Sequence, residues 1–171
     1  HGKNFREDLY PEYKAQRERM PDNLRLQIEW VFSLFESAWI PIITREGYEA
    51  DDIIGSIACE HDGEKYQIVI ISSDKDLCQF VRDGHVHIFD AMKRKFMKEA
   101  DVLEKFSVPV DQVRDYLAIV WDASDNIPGI KWFGPKKAEM LLKEYGTLEN
   151  IYENIGKLPA KMQEILTVEK E

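Results

Sequence analysis

The run Gln67–Ser72, QIVIIS, constrains the fold of this 171-residue chain more than any other stretch. Ile68, Val69, Ile70 and Ile71 are consecutive, apolar and β-branched. A strand with one face in water alternates polar and apolar residues. An unbroken run fits a strand covered on both faces, as in a parallel sheet. The segment Ile40–Thr44, IPIIT, reads as a second short strand, and HVHIFD with RKFM reads as a hairpin. Helical patterns lie between these segments. Asp22 is placed as an N-cap. After it, Leu24, Ile28, Val31, Phe32, Leu34 and Phe35 recur at helical spacing to about Ala38. EADDIIGSIACEH, KDLCQFV, VLEKF and DQVRDYLAIV read as further helices, with Gly63 allowing a turn. Strands alternating with helices predict an α/β sheet with parallel central strands.

The pattern changes after Asn126, where no further strand is legible. IPGIKWFGPKKAEMLLKEYGTLENIYENIG reads as hairpin, helix, turn, helix, and PAKMQEIL as a last amphipathic piece before a charged tail. Pro135 suits a first helical position, Gly146 a helix stop and Thr147 the next N-cap. The expected domains are therefore residues 1–120, with an interrupted arm at 1–21, and a helical module at 121–171. No apolar run approaches the roughly 20 residues of a membrane span, and Cys59 and Cys78 lack metal-type spacing. The chain is expected to work in the cytoplasm, away from membranes.

Seven carboxylates cluster in three short segments. Glu49, Asp51 and Asp52 open a helix, Asp74 and Asp76 follow the apolar strand, and Asp122 and Asp125 share a loop with Asn126. Each group has an ordinary structural use: acids favour helix N-termini, and Asp suits turns. Their convergence is what stands out, because two parallel strands deliver acids at the edge where α/β sheets bind ligands. Gathered carboxylates repel and need cations, and hard oxygen donors suit Mg²⁺ or Mn²⁺. The expectation from these residues is a metal-dependent phosphodiesterase acting on nucleic acid, with two ions clamped about 4 Å apart.

The net charge of −9 is unusual for a nucleic-acid partner, but it is unevenly spread. Arg6, Lys14 and Arg17 lie in the terminal arm beside Tyr13, which could stack on a base. Lys131, Lys136 and Lys137 surround a helix-hairpin-helix-like segment, IPGIKWFGPKKAEMLL. Its backbone N–H groups and helix start, near Gly134, suit a phosphate. Solvated lysines on an ordinary turn would look the same in sequence.

Taken together, FREDLYPEYKAQR, GYEADD, SSDKDL, DASDNIPGI and FGPKKAEMLL resemble the bacterial 5′-nuclease family, which comprises the 5′→3′ exonuclease domain of DNA polymerase I and related flap endonucleases. The likeness covers nearly the whole chain. It implies a PIN-like α/β core followed by an all-helical helix-three-turn-helix module. It also implies two-metal cleavage of DNA bearing a 5′ flap, a nick or a 5′ end. A DNA polymerase, fused or separate, is an implied partner. By motif, Glu49, Asp51, Asp52 and Asp74 would serve a first ion, and Asp76, Asp122 and Asp125 a second. Tyr13, Lys14 and Arg17 match residues that handle the 5′ strand near the scissile phosphate, Lys14 and Arg17 being the catalytic pair. The hairpin lysines would hold the downstream duplex. The alternative is a DNA-binding module without catalysis.

Two departures from the family pattern stand out. Family members begin earlier, with a first strand and two further Asp ligands, so the resemblance implies a core incomplete at its N-terminus and a fragment of reduced or absent activity. In addition, Trp39, Trp121 and Trp132 stand where glycine is expected: after a helix end, at the lip of the acid loop, and in a Gly-x-Gly hairpin. With Trp30 in mid-helix, at least three of the four tryptophans are expected to mark glycine positions of the functional protein.

Overall fold

The structure is a computed structural model that describes residues 4–61 and 65–168. The turn assigned to Gly63 and the charged tail after Val168 lie outside the described residues. The chain divides into two units, residues 1–53 and 54–171, and the division falls within one helix.

The first unit opens with α1, Phe5–Leu9, started by Asn4. The Asn4 side chain accepts from the Arg6 N–H, and Glu7 reaches back to the Asn4 N–H. The arm Tyr10–Met20 forms turns, and α2 follows over Asp22–Ser37. Asp22 is not the N-cap: Pro21 occupies that position and makes no side-chain cap bond. With φ near −65° already set by its ring, Pro21 can start a helix without a capping oxygen. No residue of α2 is buried; Leu26 and Leu34, on one face, are both exposed. The expected strand at 40–44 does not form. Pro41 contributes no N–H, and apolar content alone does not make a strand without a ladder partner. α3, Ala50–Glu60, carries the chain from this unit into the second.

The second unit contains a three-stranded sheet. β1, Ile68–Ile71, pairs in parallel with β2, Val86–Asp90, aligning Ile68 with Val86 and Ile70 with Ile88. β3, Lys95–Met97, closes the expected hairpin on β2, with Phe89 opposite Phe96. Between β1 and β2 the expected helix is a tight 3₁₀ turn, Asp76–Phe80, that buries Leu77 and Cys78. Helices α4, Glu99–Phe106, and α5, Val113–Ile119, follow. After the hairpin come α6, Pro135–Tyr145; α7, Leu148–Glu153; and α8, Ala160–Val168. Pro135 is at N1, Gly146 is the C-cap at φ 83°, and Thr147 accepts from the Asn150 N–H, all as read from the sequence. One core joins sheet and helices, from Ala58, Ile70 and Ile88 through Ile119 and Phe133 to Leu142 and Leu166.

Gly129 sets where the hairpin sits. Its φ is +55°, and a Cβ there would lie 2.7 Å from the Trp121 nitrogen and 2.8 Å from the Ile119 oxygen. This close approach lets the Ile130 N–H donate to the Ile119 carbonyl at 2.9 Å, joining the hairpin to the end of α5. The glycine required at this junction is therefore Gly129. Trp121 does not adopt a left-handed backbone, whereas Trp39 and Trp132 do. The Gly129→Ala change is expected to destabilise the protein by about 2–4 kcal/mol, from left-handed strain plus a backbone clash. Urea unfolding of the variant beside the parent measures it.

Candidate active site

In the second unit, β1 ends at Ile71 and the chain turns over Ser72–Asp76. The Ser72 hydroxyl accepts from the Asp74 N–H, and the Asp74 carboxylate accepts from the Asp76 N–H, both at 3.0 Å. This pair of local turns presents the two acids directly after the strand. The loop after α5 supplies Asp122, which is buried. Backbone bonds between Asp122 and Ile127 pin the loop at 3.0 Å in both directions, and the Ser124 N–H donates to Asp122 Oδ1 at 2.8 Å.

The electrostatics of these acids differ. Burial pushes the Asp122 carboxyl up, but backbone N–H donors and Lys75, whose Nζ lies 3.2 Å from Oδ2, hold it below the ordinary range. Asp76 goes the other way. Burial, then the charges of Asp74 and Asp122, with a smaller push from Asp125, raise it to about 6. Its Oδ1 is buried with no hydrogen-bond partner. An unpartnered buried carboxylate oxygen among like charges fits a cation that takes hard oxygen donors. Among the described residues, no three acid, His or Cys side chains are already gathered at metal-holding geometry.

In the first unit, Asp51 and Asp52 lie in the first turn of α3 as expected, and Glu49 immediately precedes the helix. Arg6 forms a two-pronged pair with Asp52, Nη1 to Oδ2 at 2.8 Å and Nη2 to Oδ1 at 2.6 Å. Lys14 Nζ reaches both Glu49 oxygens, at 2.8 and 2.9 Å, and the buried Tyr13 donates to Oε2 at 2.8 Å. Bonds from Arg6 hold the Asp52 carboxyl below its ordinary range. Burial raises Glu49, but Lys14 and Tyr13 outweigh it and leave its pKa lowered. Residues read from the sequence as phosphate grips thus hold residues read as metal ligands. Arg17 is exposed on the same arm.

At the hairpin, Ile130 and Phe133 are buried anchors, while Lys131 and Lys136 are exposed. Gly134 is the N-cap of α6, and the space where its Cβ would stand is open. Lys137 Nζ donates to the Trp132 carbonyl at 2.9 Å, which stiffens the turn. The sequence reading did not single out Lys75 as a site residue. Its signal was its place between two acids after a buried strand, where an ammonium can relieve their repulsion.

The raised Asp76 carboxyl has a consequence without divalent cations. The native state binds this proton more tightly than the unfolded chain, so stability from this group is lost as pH rises from about 4 through about 6. Asp76→Asn removes that cost. In chelator at pH 7.5, the variant is expected to melt above the parent, with the gap closing below about pH 4, near the group's ordinary value of 3.8. Thermal melts across pH read this directly.

Comparison with known proteins follows the same division of labour. Residues 1–107 match the family model described as the 5′-3′ exonuclease N-terminal resolvase-like domain, and residues 108–171 match the 5′-3′ exonuclease C-terminal SAM fold. The expected α/β nuclease core and helical module are thus present. The chain is 43% identical to a DNA polymerase I of Caldicellulosiruptor bescii, over 99% of this chain and 21% of that protein. It is 40% identical to a 5′-3′ exonuclease of Aquifex aeolicus, over 89% of this chain and 52% of that protein. It therefore spans about a fifth of the polymerase relative and about half of the exonuclease relative. The T5 D15 protein co-crystallised with metal ions superposes with a TM-score of 0.80 at 30% identity, covering 99% of this chain and 68% of that one. A T5 D15 flap endonuclease in complex with DNA and metal ions gives 0.77 at 29% identity, covering 98% and 66%. Among the described residues, no helix is long and apolar enough to cross a membrane. The chain belongs to the 5′-3′ exonuclease family, carrying its N-terminal resolvase-like domain followed by its C-terminal SAM fold.

Proposed function

We propose that this chain is a metal-dependent 5′ nuclease region that acts on DNA bearing a 5′ flap, a nick or a 5′ end. The observation that carries this reading is the unpartnered, buried Asp76 Oδ1, whose pKa is raised by burial first and then by the charges of Asp74, Asp122 and Asp125. These four acids would hold Mg²⁺ or Mn²⁺. Divalent ions, when bound, acidify water and stabilise the departing oxygen of a phosphodiester. Glu49, Asp51 and Asp52 of the first unit are likewise assigned as metal ligands, and the reading assigns two ions to the chain. Arg6 and Lys14 serve as counter-ions for Asp52 and Glu49 when no divalent ion is bound. Lys14 and Arg17 are assigned the 5′ strand beside the scissile phosphate, with Tyr13 placing the arm. Working in the cytoplasm, in repair and replication alongside a polymerase, follows from the same reading.

The helical module is assigned the duplex. Lys131, Lys136 and Lys137, with the open N-terminus of α6 at Gly134, present positive charge and backbone N–H groups. Phosphates carry no base identity, so binding is independent of sequence. A second reading, DNA binding without cleavage, draws on the pairing of Glu49 and Asp52 with this chain's own cations.

Cleavage of a 5′-flap duplex in Mn²⁺ or Mg²⁺, with binding measured in parallel in Ca²⁺, separates the two readings. Asp76→Asn with Asp122→Asn is expected to abolish cleavage and leave flap binding within about twofold. Flap binding with no metal-dependent cleavage by the parent chain would favour the second reading. The triple change Lys131→Ala, Lys136→Ala and Lys137→Ala is expected to weaken binding equally across sequences. It should also flatten the slope of log K against log salt by about 2–3. An unchanged slope removes these lysines from the interface.

A further inference from the structure

Two backbone motifs that favour glycine hold tryptophan in this sequence. α2 ends in a Schellman motif. The Ile40 N–H donates to the Phe35 carbonyl at 2.9 Å, and the Trp39 N–H to the Glu36 carbonyl at 3.1 Å. Those bonds place Trp39 at C′, the position that must turn left-handed, and its φ is +58°. The hairpin is a four-residue turn closed by the Phe133 N–H donating to the Ile130 carbonyl at 3.0 Å. Positive φ occurs at its third residue only, Trp132 at +67°, with Lys131 on the ordinary side. That is the type II pattern, whose third position calls for glycine or asparagine.

The side chains give no return for this strain. An indole is usually well buried, yet Trp39 is 93% exposed and Trp132 is 72% exposed. Trp30 and Trp121 are also exposed, so no tryptophan in the chain belongs to the core. Other non-glycine residues take positive φ: Lys14, Arg94, Ser107 and Asn126. Asn and Ser are short polar residues that can bond locally, the Lys14 ammonium is held by Glu49, and Arg94 closes the tight turn between β2 and β3. Trp39 is open to solvent; at Trp132 the Lys137 ammonium holds the backbone carbonyl at 2.9 Å, a bond glycine would keep, and the indole itself meets the Lys131 ammonium at 5.8 Å. A bulky residue at positive φ is an outlier, and here half the tryptophans of the chain are such outliers.

We infer that residues 39 and 132 are glycine in the polypeptide made by the source cell, and that both tryptophans come from a UGA codon translated under the wrong genetic code. UGA is read as tryptophan in one variant code and as glycine in another, so a single misassignment accounts for both sites. The inference rests on backbone geometry and stands apart from the nuclease reading. Its consequence for that reading is local. With glycine at 132, the hairpin opens its backbone to a phosphate oxygen that an indole would obstruct.

Peptide mass spectrometry of the protein from its native source, with the codons read alongside, tests the inference. Glycine at 39 and 132 with UGA at both is expected; tryptophan at either position, or a UGG codon, overturns it. A recombinant series tests the geometry separately. Trp39→Gly and Trp132→Gly should each raise the melting temperature by a few degrees. Trp30→Gly, in the interior of α2, should lower it. A lower melting temperature for both Trp39→Gly and Trp132→Gly would overturn the inference from the structural side.

Discussion

Neighbouring carboxylates repel, and much of this structure answers that constraint. In the first unit the answer comes from within the chain. Arg6 grips Asp52 with two hydrogen bonds, and Lys14 and Tyr13 take Glu49. The arm that precedes α2 is thereby tied to the first turn of α3. In the second unit the answer is incomplete. Lys75 serves Asp122, while Asp76 keeps a buried oxygen without a partner and a pKa raised to about 6. The same residue types are thus neutralised in one place and left in need of a cation in another. The second condition suits a binding site, because a fully satisfied acid has less to gain from a metal.

The scaffold places these groups through short, stiff connections. β1 and β2 run parallel, and the link between them is a 3₁₀ turn that buries Leu77 and Cys78. The acids at 74 and 76 are therefore displayed by a segment anchored in the core at both ends. The acid loop at 122–127 is clamped by its own bridge, and the following hairpin is seated on α5 by the close approach of Gly129. Asp122, Asp125 and the candidate phosphate-binding N–H groups therefore lie close together along the chain, from Ile119 to the start of α6.

Local physics was legible in the residues themselves. The unbroken run at 68–71 announced a parallel strand, the Phe89–Phe96 hairpin showed in its pattern, and Pro135, Gly146 and Thr147 marked helix ends where the structure has them. These features depend on neighbours a few residues away, so sequence carries them. The strand expected at 40–44 failed because a strand needs a partner, which propensity cannot supply. The N-cap expected at Asp22 fell one residue late because Pro21 had already set the helix entry.

The sequence by itself determined which residue types were available: seven acids in three segments, basic residues in the arm and hairpin, and a family pattern that joins them. It could not say how they would pair. That Arg6 and Lys14 hold Asp52 and Glu49, or that Lys75 relieves Asp122 and leaves Asp76, depends on side-chain geometry across 35 to 47 residues of chain. Backbone sign was also beyond its reach. Three tryptophans looked alike in sequence, and only the folded backbone separated the two forced into left-handed turns from Trp121, whose junction is served by Gly129. The physical reason is common to both cases. Charge pairing and dihedral sign are set by what the rest of the chain brings into contact, and that is decided in three dimensions.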